Sequence, residues 1–225
     1  MTRHRLCRAA TLAAGFVVLS APMVSAQARS TSWEAAAGAA WFSGIGLGES
    51  VATLERPGGG TFELFRAETS QDHGFGVAAT VSFYPAPRLA IEAGFSYARP
   101  GVSTRVTADA ESAAAVTSTI GLQQYVVEGG ARWYFARAFG RFQPFARAGA
   151  GWMRQLDEHS ALVEDGTVFH AGAGVDRAFV ERAAGRVKRI GLRLDARVTG
   201  RTGGIDVGDK VRVGAAAGAL VFFGF

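Results

Sequence analysis

Cysteine is almost absent from the 225-residue chain, which holds one, Cys7, and only 19% of its residues are charged. A single thiol excludes a disulfide scaffold and any cysteine-based zinc site within one chain. The charged fraction falls below the usual ~25%, yet 48% of the residues are hydrophobic, too many for a disordered chain. Long apolar runs are missing too. Beyond the first 26 residues none reaches the ~18 that a membrane-crossing helix needs. No basic run with interleaved aromatics is present, which excludes nucleic acid as the expected partner. Glycine is what the chain has in excess, with 30 residues, well above the usual ~7%. Each glycine inside a helix costs ~1 kcal/mol relative to alanine, so a helical bundle is disfavoured.

Residues 1–26 read as a secretory signal peptide. Arg3, His4, Arg5 and Arg8 form a basic start, Ala9 to Ala21 is apolar, and Val24-Ser25-Ala26 offers small residues for cleavage. The apolar stretch is shorter than the ~20 residues of a membrane anchor. Cys7 precedes it, so a lipoprotein is not expected. The mature chain would start near Gln27 with 199 residues, having lost three of the 24 basic residues and none of the 19 acids. Its net charge is then close to neutral, and the only thiol is gone.

The mature chain counts in twos. Over 74–84, Phe75, Val77, Ala79, Val81 and Phe83 share one face, and Gly74, Gly76, Ala78, Thr80 and Ser82 the other. Over 189–199, Ile190, Leu192, Leu194, Ala196 and Val198 alternate with Gly191, Arg193, Asp195, Arg197 and Thr199. This is the period of a strand with unlike faces. Similar stretches at 32–43, 88–98, 122–135, 142–153, 167–177 and 210–225 bring the count to eight strands. Each is about the ~9–11 residues that cross a bilayer at a tilt. The connections 44–73, 99–121, 154–166 and 201–209 are the longer ones and are read as loops; between them lie 85–87, 136–140 and a longer stretch, 178–188. Long loops at one end and mostly short turns at the other describe an up-and-down meander whose ends meet different surroundings.

Alternation alone fits a soluble barrel with its apolar face inward equally well. The aromatics decide for lipid outside. Trp33/Trp41, Phe75/Phe83 and Tyr125/Trp133 are each eight residues apart on the apolar face, a rise of about 20 Å at a ~40° tilt, the height of an apolar band between two aromatic girdles. Trp152 joins the upper girdle. The opposite face combines Gly and Ala with Glu34, Glu92, Glu128, Arg132, Arg147, Asp176, Arg193, Asp195 and Arg197. Of these, Glu92, Glu128, Arg132, Arg147, Arg193, Asp195 and Arg197 are expected to form an ion-pair network in a narrow lumen, because an unpaired charge there costs several kcal/mol. The chain ends on Val221, Phe223 and Phe225, outward in one register.

A terminal strand that finishes on an outward aromatic resembles the assembly signal of bacterial outer-membrane barrels. With the segments 142–151 and 171–176, it makes residues 27–225 resemble the small eight-stranded outer-membrane β-barrel proteins of the OmpA-transmembrane-domain, OmpX and OmpW type. The resemblance implies a single all-β domain, an eight-stranded antiparallel up-and-down transmembrane β-barrel in a Gram-negative outer membrane. It also implies a periplasmic N-terminus, surface loops and insertion by the barrel-assembly machinery, without the peptidoglycan-binding domain of full-length OmpA proteins. Outer-membrane lipid and lipopolysaccharide are the expected neighbours, and a monomer the expected state.

No cofactor, metal or catalytic residue is expected. His159, Ser160 and Glu158 in one loop and His170 on a strand are the candidates for a lipid A-modifying site. His159 and Ser160 are adjacent, so on a strand they would face opposite ways, and Gly172 stands where a serine would follow His170. His170 is expected to be a luminal polar group near Asp176. Gly44-Ile45-Gly46-Leu47-Gly48 lacks the Lys-Ser/Thr of a phosphate loop and reads as a flexible loop entry; Gly58-Gly59-Gly60 reads as a turn. Loop acids such as Glu49, Glu63, Glu68, Asp72, Glu164 and Asp165 have no calcium-loop spacing. The reading that follows is a structural or surface-contact barrel, with a narrow channel or sensor for small hydrophobic or ionic solutes as the alternative and an enzyme third.

Overall fold

A computed structural model describes residues 32–107, 114–135, 141–157, 162–205 and 210–225. The segment read as a signal peptide, the 136–140 turn and the loop residues Glu158, His159 and Ser160 lie outside the described residues.

Eleven strands are described: β1 (Trp33–Phe42), β2 (Ile45–Glu55), β3 (Thr61–Gln71), β4 (Gly74–Ala86), β5 (Leu89–Ala98), β6 (Gly101–Thr107), β7 (Val116–Tyr134), β8 (Phe142–Asp157), β9 (Val163–Glu181), β10 (Arg189–Gly203) and β11 (Arg212–Gly224). Eight of them close a ring in the order β1-β4-β5-β7-β8-β9-β10-β11 and back to β1, every pair antiparallel. These eight contain the eight stretches of alternation. Closure leaves no free ladder groups along the ring, which is what allows a sheet to sit in hydrocarbon. The last seam joins the first and last described strands: Ala36 pairs with Phe222, and the Phe225 N–H donates to the Trp33 carbonyl at 2.8 Å.

Strand parity sets the two faces. In β7, Gln124, Val126, Glu128, Arg132 and Tyr134 turn inward, while Tyr125, Val127 and Trp133 turn outward. Large apolar side chains are accordingly exposed around the ring, among them Phe75, Val81, Ile91, Leu194 and Val221. Trp33 stands opposite Phe83, and Trp41 opposite Phe75, so two of the predicted aromatic pairs come from neighbouring strands at matching heights. Tyr125, Trp133 and Trp152 lie on the same outward face, as do Val221, Phe223 and Phe225.

The connection 44–73 is not a loop but a hairpin, β2 with β3, and 99–121 contains β6. Together with the first residues of β7, these form a second sheet in the order β2-β3-β6-β7 that stands above the ring. The hairpin turns at Gly58, Gly59 and Gly60, whose φ angles of 107°, 91° and 101° suit glycine alone. Gly44 to Gly48, read as a loop entry, belongs mostly to β2; a bulge there gives the strand an extra residue, Leu47, which is fully buried. At the opposite end β9 runs on to Glu181. The long turn thereby shrinks to 182–188, clasped by the Arg182 N–H on the Lys188 carbonyl at 2.7 Å.

Candidate functional site

Among the described residues the inward face gathers Arg132, Arg147, Arg193, Arg197 and Arg201 with the acids Glu34, Glu92, Glu128, Asp176 and Asp195, and carries Arg189 and Arg212 towards its two ends. The side chains are stacked in three tiers.

The lowest tier lies at the end of the barrel where β1 begins and β11 ends. Arg132 is fully buried and meets Glu34 at 3.0 Å and Glu92 at 3.2 Å, while its Nη2 also donates to Ser82 Oγ and Tyr84 OH. Arg193 makes a fork on Asp176, with Nε and Nη2 donating at 2.9 and 3.1 Å, and its Nη2 reaches Glu34 as well. Paired charge-assisted donors of this kind are the strong ones. Tyr134 OH donates to Asp176 at 2.7 Å. Below the charges is a floor of Tyr84, Tyr134, Phe145 and Phe222; Arg132 lies within 6 Å of the Tyr134 and Phe145 rings and Arg193 within 6 Å of Phe145 and Phe222.

In the middle tier Arg147 faces Glu128 at 3.3 Å, Asp195 at 3.5 Å and Glu92 at 3.6 Å, and so links the two tiers. Arg197 donates to Glu128 at 2.8 Å. His170 Nδ1 lies 3.4 Å from Glu128 Oε2. It is therefore a partner of Glu128, not of Asp176 as the sequence suggested, because six residues of strand separate His170 and Asp176 along the barrel wall. Small inward residues make the room: a Cβ on Gly149 would stand 2.8 Å from His170 Cε1, and one on Gly218 2.9 Å from Asp195 Oδ2.

The upper tier is an amide cluster. Gln155 donates to Gln124 at 2.8 Å and to Gln71 at 3.3 Å, and Arg201 donates to Gln71 at 2.6 Å. Between this tier and the Arg197–Glu128 pair lies a cavity of about 40 Å³, lined in part by Phe42, Ile45, Val126, Met153 and Val168.

All seven luminal residues proposed from sequence are brought together, although Glu128 and Arg132, one strand turn apart, serve different tiers. Glu34 and Asp176 complete the lower one. Sequence reasoning missed the aromatic floor and the glutamines. The parity of Tyr134 with Arg132, and of Gln124 with Glu128, carried that information; Gln71 did not, because it ends a strand that was read as loop.

Above the amides the polarity of the wall inverts. Along β7, the inward side chains change from Glu128 and Gln124 to Leu122, Ile120, Ser118 and Val116, with Ser118 the polar member, and the outward ones from Trp133 and Tyr125 to Thr119 and Thr117. The pairing extends this across the second sheet: Val102 stands beside Ile120, Val106 beside Val116 and Ala67 beside Val106, and the hairpin continues the same face with Phe65, Phe62 and Leu54. Val116 is 64% and Ile120 52% exposed on this inner face. The outer face carries Glu49, Arg66 and Glu63, with Arg66 bonded to both acids at 2.8 and 3.0 Å. The hydrogen bond from Arg66 holds the Glu63 carboxyl below its ordinary range. A polar outside and apolar inside belong to water outside; the reverse, lower down, belongs to hydrocarbon. Leu122 marks the change.

A closed ring with an apolar belt, aromatic girdles and a charged interior defines the class: the fold is that of a small eight-stranded outer-membrane β-barrel. No protein-family model and no curated protein matches the chain. Among solved structures, Neisserial surface protein A superimposes with a TM-score of 0.51 at 12% identity, covering 86% of this chain and 97% of its own; at that identity the likeness is one of fold. Outer membrane protein AlkL in lipid bilayers (TM-score 0.40, 17% identity, 93% and 97% covered) and the outer membrane protease OmpT from Escherichia coli (0.37, 7%, 86% and 97%) match more loosely.

Proposed function

We propose that the chain is a structural and surface-contact barrel of a bacterial outer membrane, delivered by its signal peptide and closed along its lumen by ion pairs. The observation that carries this is the continuous network of ion pairs between Arg132, Arg147, Arg193 and Arg197 and the acids Glu34, Glu92, Glu128, Asp176 and Asp195, with contacts of up to 4.0 Å across an interior that eight strands make only wide enough for side chains. Ion passage would require several buried pairs to open together, each leaving charges without partners. The β2–β3 hairpin and β6 then supply the surface that meets other cells or molecules. Planar-bilayer recording tests the reading: the refolded barrel is expected to leave the membrane resistance unchanged, and steady unitary conductance would overturn it.

The apolar inner face above Leu122 favours a second reading, a sensor for small hydrophobic solutes held over a closed lumen. An apolar fluorescent probe such as N-phenylnaphthylamine is then expected to brighten on the wild type beyond its level in the protein-free amphiphile and to lose most of that excess in Ile120→Glu. Equal brightening in both would remove this reading and leave the first intact.

A further inference from the structure

The end of the barrel where β1 begins and β11 ends is strongly basic. Arg88, Arg141, Arg182, Arg186 and Lys188 lie in its turns or beside them, with Arg177 and Arg189 on the strands. Outside the lumen, Glu181 is the only acid at this end among the described residues, and it pairs with Arg189 at 3.5 Å. The opposite end is mixed, with Arg66 and Arg154 each held by acids.

Arg177 differs from the rest of this group. It lies on the outward face of β9, beside Phe142 of β8 and Leu192 of β10. Its guanidinium stacks over Phe142 at 5.1 Å and over Phe179 at 5.3 Å, both rings being exposed. No described carboxylate pairs with it. A cation on the lipid-facing wall is tolerated only near the interface, where its head can reach phosphate oxygens. The two rings hold the guanidinium at that level, and its planar fork suits a phosphodiester in two-point contact. The surrounding basic turns raise the local concentration of anionic lipid.

We propose that Arg177, clasped by Phe142 and Phe179, is the centre of a binding site for an anionic phospholipid headgroup of the periplasmic leaflet, with Arg141 and the basic 182–188 turn as its rim. The site rests on the membrane reading above. It gives this end of the barrel a lipid preference of its own, separate from anything that meets the outer hairpin.

Native mass spectrometry of the refolded barrel, released from mixed micelles holding equimolar phosphatidylglycerol and phosphatidylethanolamine, tests the site. Wild type is expected to retain phosphatidylglycerol about tenfold over phosphatidylethanolamine, the ratio worth one charge-assisted contact. Arg177→Gln is expected to bring the ratio near one, and Arg177→Lys to recover part of it. Each variant should keep the wild-type gel shift on heating. No preference in wild type, or an undiminished one in Arg177→Gln, overturns the site; a general attraction of the basic turns for anions gives the latter result. A wild-type chain that folds without any amphiphile fails the membrane reading instead, so the two failures are told apart.

Discussion

Replacing Arg132 with methionine is expected to cost ~3–5 kcal/mol of barrel stability, the usual effect of removing one partner from a buried ion pair. Methionine fills much of the space but removes the cation that Glu34 and Glu92 share, leaving the first to Arg193 and the second to Arg147 and Arg193. Ser82 Oγ and Tyr84 OH lose a donor as well. Arg132→Lys keeps the charge and one donor nitrogen, and Nη2 alone carries the hydrogen bonds of Arg132 to Glu34, Ser82 and Tyr84, so its loss should be smaller. The urea midpoint of the lipid-inserted barrel measures the change, with the heat-dependent gel shift as a check on folding. A midpoint for Arg132→Met that matches wild type would mean that the lower tier is filled but not held by these contacts. The same experiment on Glu128→Ala reports on the middle tier, where Arg147 and Arg197 would be left facing one another.

Leu194→Arg bears on the solvent around the belt. Leu194 is 46% exposed and lies opposite Val175 and Ala219, midway between Ile190, which stands beside Phe223, and Val198. On a lipid-facing wall at mid-depth the substitution is expected to destabilise by ~2–4 kcal/mol. On a wall that faces water it would stay within ~0.5 kcal/mol. The two outcomes do not overlap. A near-neutral result in the refolded protein would take the barrel out of the membrane, whatever its lumen looks like. Thr117→Arg is the companion, since the outward face has already become polar there and no comparable penalty is expected.

The ring was legible in sequence because hydrocarbon and lumen impose opposite demands on successive residues, so that parity carried over whole strands such as 74–84 and 189–199. Pairs like Trp33/Trp41 added the height of the belt. The second sheet escaped for the same physical reason. In β2, β3 and β6 the larger apolar residues such as Phe62, Phe65, Val102 and Val106 turn inward with a polar row at Thr69 and Thr104 between them, Arg66 and Glu68 turn outward, and the strands are broken by Gly46, Gly48 and a bulge near Thr53; a reader looking for lipid-facing alternation finds loop. Which luminal charges share a tier was not legible either. Glu128 and Arg132 are neighbours on one strand, yet the tilt of the ring sends them to Arg197 and to Glu34, partners far away in the chain. Register between distant strands is fixed by closure, and closure leaves no local trace.

The seam between β1 and β11 has a kinetic consequence. Hairpins such as β9–β10 need only nearby residues and can zip early, but the contact of Glu34 with Gly224 must wait for nearly all of the chain to be delivered. Until then the nascent ribbon has two raw edges, and Glu34 stands without Arg193, which arrives on β10. Joining the first and last strands therefore completes the hydrogen-bonded wall and the lower electrostatic tier in one late event. Anything that delays the final strand holds both open at once.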